Sequence, residues 1–283
     1  LCRSWCFWRA VTVSHRNLVI LYTEMVRAYK AKGLKRPWKE LNQGNEDIED
    51  SVEEEEGAVD ELPGIPVAPS EATSKPGAIF VLENASLEVG KVGKTFQILN
   101  SDDHSNFLQR HGKNPSDYRP DIVYQALLAI LDSPLNKAGR VRAVYVRTLK
   151  GVLFEVKPHV RIPRTSKRFY GIMLQLLQKL SVSASGNREK LLRTIKNPVT
   201  QYFPANSCKI GFSYSSEKSV ELKDYLGAMN SGETPVFVVG AMPHGKIDKD
   251  YTDDYVSISD YPLSAAWCLM SICKDLQQCW KIC

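Results

Sequence analysis

From residue 78 onward the chain alternates short apolar runs with stretches of helical periodicity, and this alternation restricts the fold more than any other feature. AIFVLENA at 78–85 is an apolar run suited to a buried strand, and PVFVVGA at 235–241 is a second. RPDIVYQALLAILD at 119–132 has a proline in its first turn, an early carboxylate and apolar residues at helical spacing, which predict a helix. VRAVYVRT and VLFEV flank LKG and read as a hairpin. FYGIMLQLLQKL and REKLLRTI are expected to be helices, SCKIGFSYS and DYVSIS strands, and PLSAAWCLMSICKDLQQCW a closing helix. Strands alternating with helices imply an α/β fold whose largely parallel sheet is covered on both faces. No repeat of fixed period is visible.

The chain's 283 residues, 43% of them hydrophobic, suffice to bury a sizeable core. Its net charge of +5 is unevenly spread: residues 1–74 carry 9 Lys/Arg and 13 Asp/Glu, and residues 75–283 carry 28 and 19. The basic part is the one with the apolar segments, which raises the prior for a polyanionic partner such as RNA. Residues 1–74 run from a basic piece through an acidic run at 46–61 to a Pro-rich stretch, and are expected to be a disordered extension. The first methionine is Met25, so residues 1–24 are expected to be extra translated sequence preceding the native start. They make a poor signal peptide, and NLVILY at 17–22 is too short to span a bilayer, so no membrane partner is expected. Seven cysteines without a CxxC pair, and no His at zinc-ligand spacing, indicate neither a disulfide framework nor a metal site; a reducing intracellular compartment is expected.

GKVGKT at 90–95 ends like a phosphate-binding loop, but the required earlier glycine is Glu88 and the following FQILN is strand-like, so an NTPase is set aside. No GxSxG elbow is present, and no cysteine has a motif partner among the histidines. KPHVRIPRTSKRF at 157–169 is more specific, with Arg161, Arg164 and Arg168 at a spacing of three and then four, Pro163 fixing the chain and no carboxylate present. If the stretch from Arg164 to Arg168 opens the helix that continues into FYGIMLQLL, two guanidinium groups emerge on one face beside N-terminal amides, an anion cradle. The alternative is a solvated basic face. In DYRPD at 117–121, Asp121 can orient Arg119 or simply cap the helix. VFVVGAMPHGK and ISDYPLSAA each run from a strand into a loop bearing glycine or proline, where the ligand crevice of an open α/β sheet forms; alone, such loops are ordinary turns.

Together, ASLEV, LNSDDH, RPDIVYQALLAILDSPLNKAG, VRIPRTSKRF, IKNPVT, VFVVGAMPHGK and ISDYPLSAA resemble the ribosome-biogenesis pseudouridine N1-methyltransferases of the SPOUT superfamily, over nearly all of residues 76–283. The resemblance implies a SPOUT-type mostly parallel sheet flanked by helices, with a deep C-terminal trefoil knot, in a methyltransferase domain over 75–283. It also implies S-adenosyl-L-methionine as cofactor, a homodimer, small-subunit rRNA as substrate, small-subunit assembly factors as further partners, and a nuclear, nucleolar location. Carried over by position, the cofactor residues are Phe212, Gly240, Gly245, Lys246, Ile247, Ile258, Ser259, Asp260, Tyr261, Pro262 and Leu263. The RNA contacts are Arg119, Arg161, Arg164 and Arg168, with Arg119 and Asp121 in the catalytic position and Asp121 orienting the arginine. Met242-Pro243 and the tail CWKIC depart from the family pattern.

The implied chemistry suits these residue types. Pseudouridine is joined to ribose through carbon, so its N1 bears a proton and is open to a methyl group; displacement from a sulfonium demands positioning and loss of that proton. Arginines would hold flanking phosphates and stabilise a developing anionic base. An RNA-binding assembly factor acting mainly as a scaffold would use the same arginines without needing the cofactor loops.

Overall fold

The computed structural model describes residues 75–184, 189–229, 232–248 and 250–282. The extension expected over 1–74, its acidic run and its first 24 residues lie outside these described residues.

The described chain opens with β1 (Ala78–Ala85), a hairpin of β2 (Val89–Val92) and β3 (Thr95–Ile98), and the helices α1 (Ser101–Arg110), α2 (Pro120–Leu131) and α3 (Pro134–Lys137). There follow β4 (Val141–Thr148), β5 (Leu153–Val156), α4 (Ser166–Lys179), β6 (Ser181–Ser183) and β7 (Lys190–Ile195). The chain closes with β8 (Ser207–Phe212), α5 (Leu222–Gly227), β9 (Thr234–Gly240), β10 (Asp254–Val256) and α6 (Ala265–Cys279). Eight strands form one sheet in the order β10-β8-β9-β1-β4-β5-β7-β6. The first five are mutually parallel, and the last three extend the sheet antiparallel, with β7 lying between β5 and β6. This is the mostly parallel α/β sheet that the alternation of segments predicts.

The expected helix over REKLLRTI is instead β7, with Leu192 paired to Val156 and Ile195 to Leu153 of β5. Its two leucines are fully buried. Tertiary demand overrides the local pattern here: without β7, β5 would present an unpaired edge beside the fully buried Phe154. SCKIGFSYS and DYVSIS are strands only as far as Phe212 and Val256; their remaining residues are loops.

Alternation along the strands sorts side chains onto two faces. Phe80 and Leu82 of β1 and Phe237 and Val239 of β9 join a core with Leu127 of α2, Phe169 and Met173 of α4, and Leu269 and Ile272 of α6. Phe80 and Phe212 flank Phe237 at centroid separations of 5.5 and 6.0 Å. Ile79, Val81, Val236 and Val238 face the other way, into a smaller cluster covered by Val199, Ile247, Phe203 and Tyr251. Both faces are thus covered, the second by a 3-10 turn and loops. The CWKIC tail is tied back through Ile282: Trp280 stacks on Arg140 at 5.8 Å, and the Ile282 amide donates to the Gln277 carbonyl at 2.9 Å. Among the described residues no helix is long and apolar enough to cross a membrane.

On the second face Glu155 is nearly buried yet accepts hydrogen bonds from Lys157 Nζ at 2.8 Å and Arg193 Nε at 2.6 Å. Burial alone would raise its pKa, but these two bonds outweigh it and leave the carboxyl below its ordinary value of 4.5. A depressed folded-state pKa contributes stability that is present above the unfolded value and lost as pH falls through the folded one. Melting temperature should therefore drop below about pH 4.5, and Glu155→Gln should lower it by about 2–8 °C at pH 7 while flattening that acid limb. Thermal melts from pH 7 to pH 3 check both effects.

Candidate functional site

The carboxyl ends of three neighbouring parallel strands, β8, β9 and β10, open into one cavity of about 820 Å³. The strand ends and the loops following them build one wall: residues 213–215 after β8, Gly240 ending β9 and 242–247 after it, and 257–259 with Tyr261 and Leu263 after β10. The start of α6, residues 264–266, closes the floor. The facing wall comes from Arg119, Ile122 and Gln125 at and within the first half of α2, Ser116 in the 3-10 turn before it, and Ser101 at the start of α1.

Local hydrogen bonds set each loop. Ser257 Oγ donates to the Ser259 carbonyl at 2.7 Å, and Ser259 Oγ accepts the Tyr261 amide at 3.0 Å, two serine turns in succession. Ser264 caps α6 by accepting the Trp267 amide at 3.2 Å, which leaves the positive end of a 15-residue helix at the cavity floor. Gly245 has φ of +113°, a conformation that other residues adopt only under strain. Gly240 is a matter of space instead: a Cβ there would lie 3.2 Å from Met242 Cε and 3.3 Å from Ile247 Cγ2, so both would have to give by a few tenths of an ångström. Met242 thus covers both glycines, and Met242 and Pro243 both line the cavity.

Arg119 is fixed at both ends. Its Nε and Nη2 donate to the two oxygens of Asp121 at 2.8 and 2.7 Å, while its backbone amide donates to Ser86 Oγ at 3.1 Å. The bidentate bond to Asp121 pushes the guanidinium further toward its charged form. Tyr170 of α4 stands beside this pair; burial, then the carboxylates of Asp121 and Asp102, push its phenol up to about 12.

Of the expected cofactor residues, Phe212, Gly240, Gly245, Lys246, Ile247, Ile258, Ser259, Tyr261 and Leu263 line the cavity. Asp260 and Pro262 lie exposed on the same loop and are not part of its lining. Arg119 is on the facing wall, whereas Arg161, Arg164 and Arg168 lie outside the cavity and are exposed. Arg164 does not open the helix: α4 begins at Ser166 after the N-cap Thr165, and Arg164 bonds Asp132 Oδ2 at 2.6 Å. Pro163 holds this loop against α2, its carbonyl accepting Tyr124 Oη at 3.1 Å. Arg119 and Arg164 thus bracket α2, Arg119 before its first residue and Arg164 tethered just past its last, about 18 Å apart along the axis for 12 residues. Sequence reasoning missed Gln125, Tyr214, His244 and Cys268 as lining residues, and only the loop positions of Tyr214 and His244 carried any signal. Among the described residues no grouping of His, Cys, Asp or Glu could hold a metal, and Cys208, Cys268, Cys273 and Cys279 are free thiols.

An open α/β sheet with a cofactor-sized crevice at the carboxyl ends of its strands, walled by loops on one side and a fixed guanidinium on the other, defines a ligand-binding domain of the α/β class. A family model described as EMG1/NEP1 methyltransferase matches residues 80–277. The ribosomal RNA small subunit methyltransferase NEP1 of Mus musculus is 49% identical over 204 residues, covering 72% of this chain and 82% of that protein. Its counterpart in Candida albicans is 41% identical over 230 residues, covering 77% and 85%. A solved structure, Archaeoglobus fulgidus Nep1 bound to S-adenosylhomocysteine, superposes with a TM-score of 0.54 at 23% identity, covering 72% of this chain and 98% of that one, and so shares the fold. The chain belongs to the EMG1/NEP1 methyltransferase family.

The two glycines of the wall separate by substitution. Gly245→Ala forces a side chain into a strained backbone, which costs about 1–3 kcal/mol and should lower the melting temperature by about 2–10 °C. Gly240→Ala meets the flexible end of Met242 and should shift it by less than half as much. Equal shifts in differential scanning calorimetry would contradict this account of the loop.

Proposed function

We propose that this protein transfers a methyl group from S-adenosyl-L-methionine to ring N1 of a pseudouridine in small-subunit rRNA, during small-subunit biogenesis in the nucleolus. The carrying observation is that one cavity joins the strand-end loops to the wall bearing Arg119. The names of the mouse and Candida relatives support the rRNA substrate, and the S-adenosylhomocysteine bound to the archaeal Nep1 supports the cofactor.

The residues present fit that cofactor. Phe212, Ile247, Val256 and Ile258 offer an apolar lining for an adenine ring, and the glycine-bearing loop after β9 brings backbone close. The N-terminus of α6 favours a carboxylate at the floor. When bound, the cofactor supplies a methyl group on a cationic sulfonium. Asp121 holds Arg119 at the facing wall, where its charge would stabilise a pyrimidine ring whose N1 proton passes to water. Arg161, Arg164 and Arg168, exposed outside the cavity, hold phosphates flanking a flipped base. The deep trefoil knot belongs to this reading, as do the small-subunit assembly factors as partners. So does a homodimer: α6 exposes Trp267 and Met270 three residues apart, 56% and 45% accessible, an apolar face suited to a second copy.

RNA with a pseudouridine in a single-stranded loop should gain one methyl group, and the matching uridine RNA should bind with the same salt dependence yet remain unmodified. Arg168→Ala should flatten the salt slope for both RNAs by about one unit. Equal methylation of both RNAs by mass spectrometry would refute the assignment, and binding without methylation of either would favour the scaffold role. Sedimentation velocity should show a dimer, weakened toward monomer by Trp267→Asp.

A further inference from the structure

The loop that follows β9 is fastened at both ends to one buried residue on the sheet face away from the helices. Glu83 lies in β1, is 2% exposed, and pairs in register with Gly240. Its carbonyl accepts the Ala241 amide at 2.7 Å, carrying the ladder one residue past the end of β9. Its carboxylate accepts the hydroxyl of Tyr251, ten residues further on, and Arg147 Nη1 of β4 lies 3.6 Å from its other oxygen. Between the two attachments lie residues 242–247, which line the cavity. The Tyr251 ring is seated 6.5 Å from that of Phe203, centroid to centroid.

Two features make this more than a satisfied polar group in the core. Asn84 has φ of +56°, and the β1–β4 register shifts between Leu82 and Ala85, so β1 turns aside directly after Glu83. The β1–β9 pairing therefore ends at this residue, and the loop bond to its carbonyl is the last rung. Burial, then the Glu83 carboxylate, push the Tyr251 phenol far above its ordinary range, so it remains a donor at all physiological pH.

We propose that Glu83 and Tyr251 are positioning residues for cofactor binding, latching both ends of the 241–251 loop to the sheet so that the 242–247 wall is in place before ligand arrives. The inference rests on the cavity being the S-adenosylmethionine site. A loop released at one end must be ordered when ligand binds, and that ordering is subtracted from affinity.

Tyr251→Phe keeps the ring and deletes only the hydroxyl. It should weaken S-adenosylhomocysteine binding about 10-fold by calorimetry, the scale of a lost hydrogen bond to a charged group. KM for S-adenosylmethionine should rise in step, with kcat at saturation within about 2-fold and RNA affinity unchanged, a split that general destabilisation would not give. Hydrogen exchange of the 242–247 amides should accelerate relative to those of β4. Glu83→Gln retains an acceptor for the hydroxyl and should keep affinity within about 3-fold. Unchanged affinity and unchanged exchange in Tyr251→Phe would overturn the latch, as would equal loss of cofactor and RNA binding. If the wild-type protein itself fails to bind S-adenosylhomocysteine, the reading of the cavity fails, and the exchange measurement alone decides whether the loop is latched.

Discussion

The burial of β9 between β8 and β1 is the constraint on which the rest of the structure depends. TPVFVVG pairs on both edges and packs on both faces, so its backbone groups are satisfied only when strands from distant parts of the chain are already alongside. Its exit is then forced to the carboxyl end of the sheet, between neighbours whose own ends lie at the same level. From there the chain must cross past β8 to reach β10 at the sheet edge, and the loop that makes this crossing is the wall of the cavity. The site is a consequence of where the central strand was placed.

Opposite that wall, α2 acts as a rigid spacer. Its apolar side, with Val123, Leu127 and Ile130, is locked into the core, which fixes both of its ends relative to the sheet. Arg119 at one end faces the cavity and Arg164 at the other is held by Asp132. Positive charge is thereby placed at both ends of the helix, and of these two guanidinium groups only that of Arg119 lines the cavity. The first turn of α4 carries Lys167 and Arg168 and no carboxylate, so side-chain charge and helix amides act in the same direction toward an anion.

The second face of the sheet is thinner and more polar. Glu83 and Glu155 are buried there against arginine, lysine and tyrosine partners, where a fully apolar cover would have needed another layer of helix. The loop that lines the cavity is bonded to this face through Glu83, although neither Glu83 nor Tyr251 itself lines the cavity.

Much of this was legible in the linear chain. The apolar runs at 78–85 and 235–241 could be satisfied only as buried strands, and the proline and early carboxylate of RPDIVYQALLAILD required a helix starting where it does. These are local demands, met by burial and capping within a few residues. The strand state of REKLLRTI was not legible, since its leucines fit either periodicity until β5 offered an edge to pair. The loops after the strands could be named as candidates, but not the inward position of Gln125 or the outward position of Asp260, because which side of a loop meets the cavity depends on what packs beneath it. Arg164 could be counted as a charge, yet its partner Asp132 lies 32 residues away. The sequence by itself determined the strands, the helices and the kind of charge they carry; only the tertiary structure decided which of these meet, because contacts between distant residues are selected by the packing of the whole sheet.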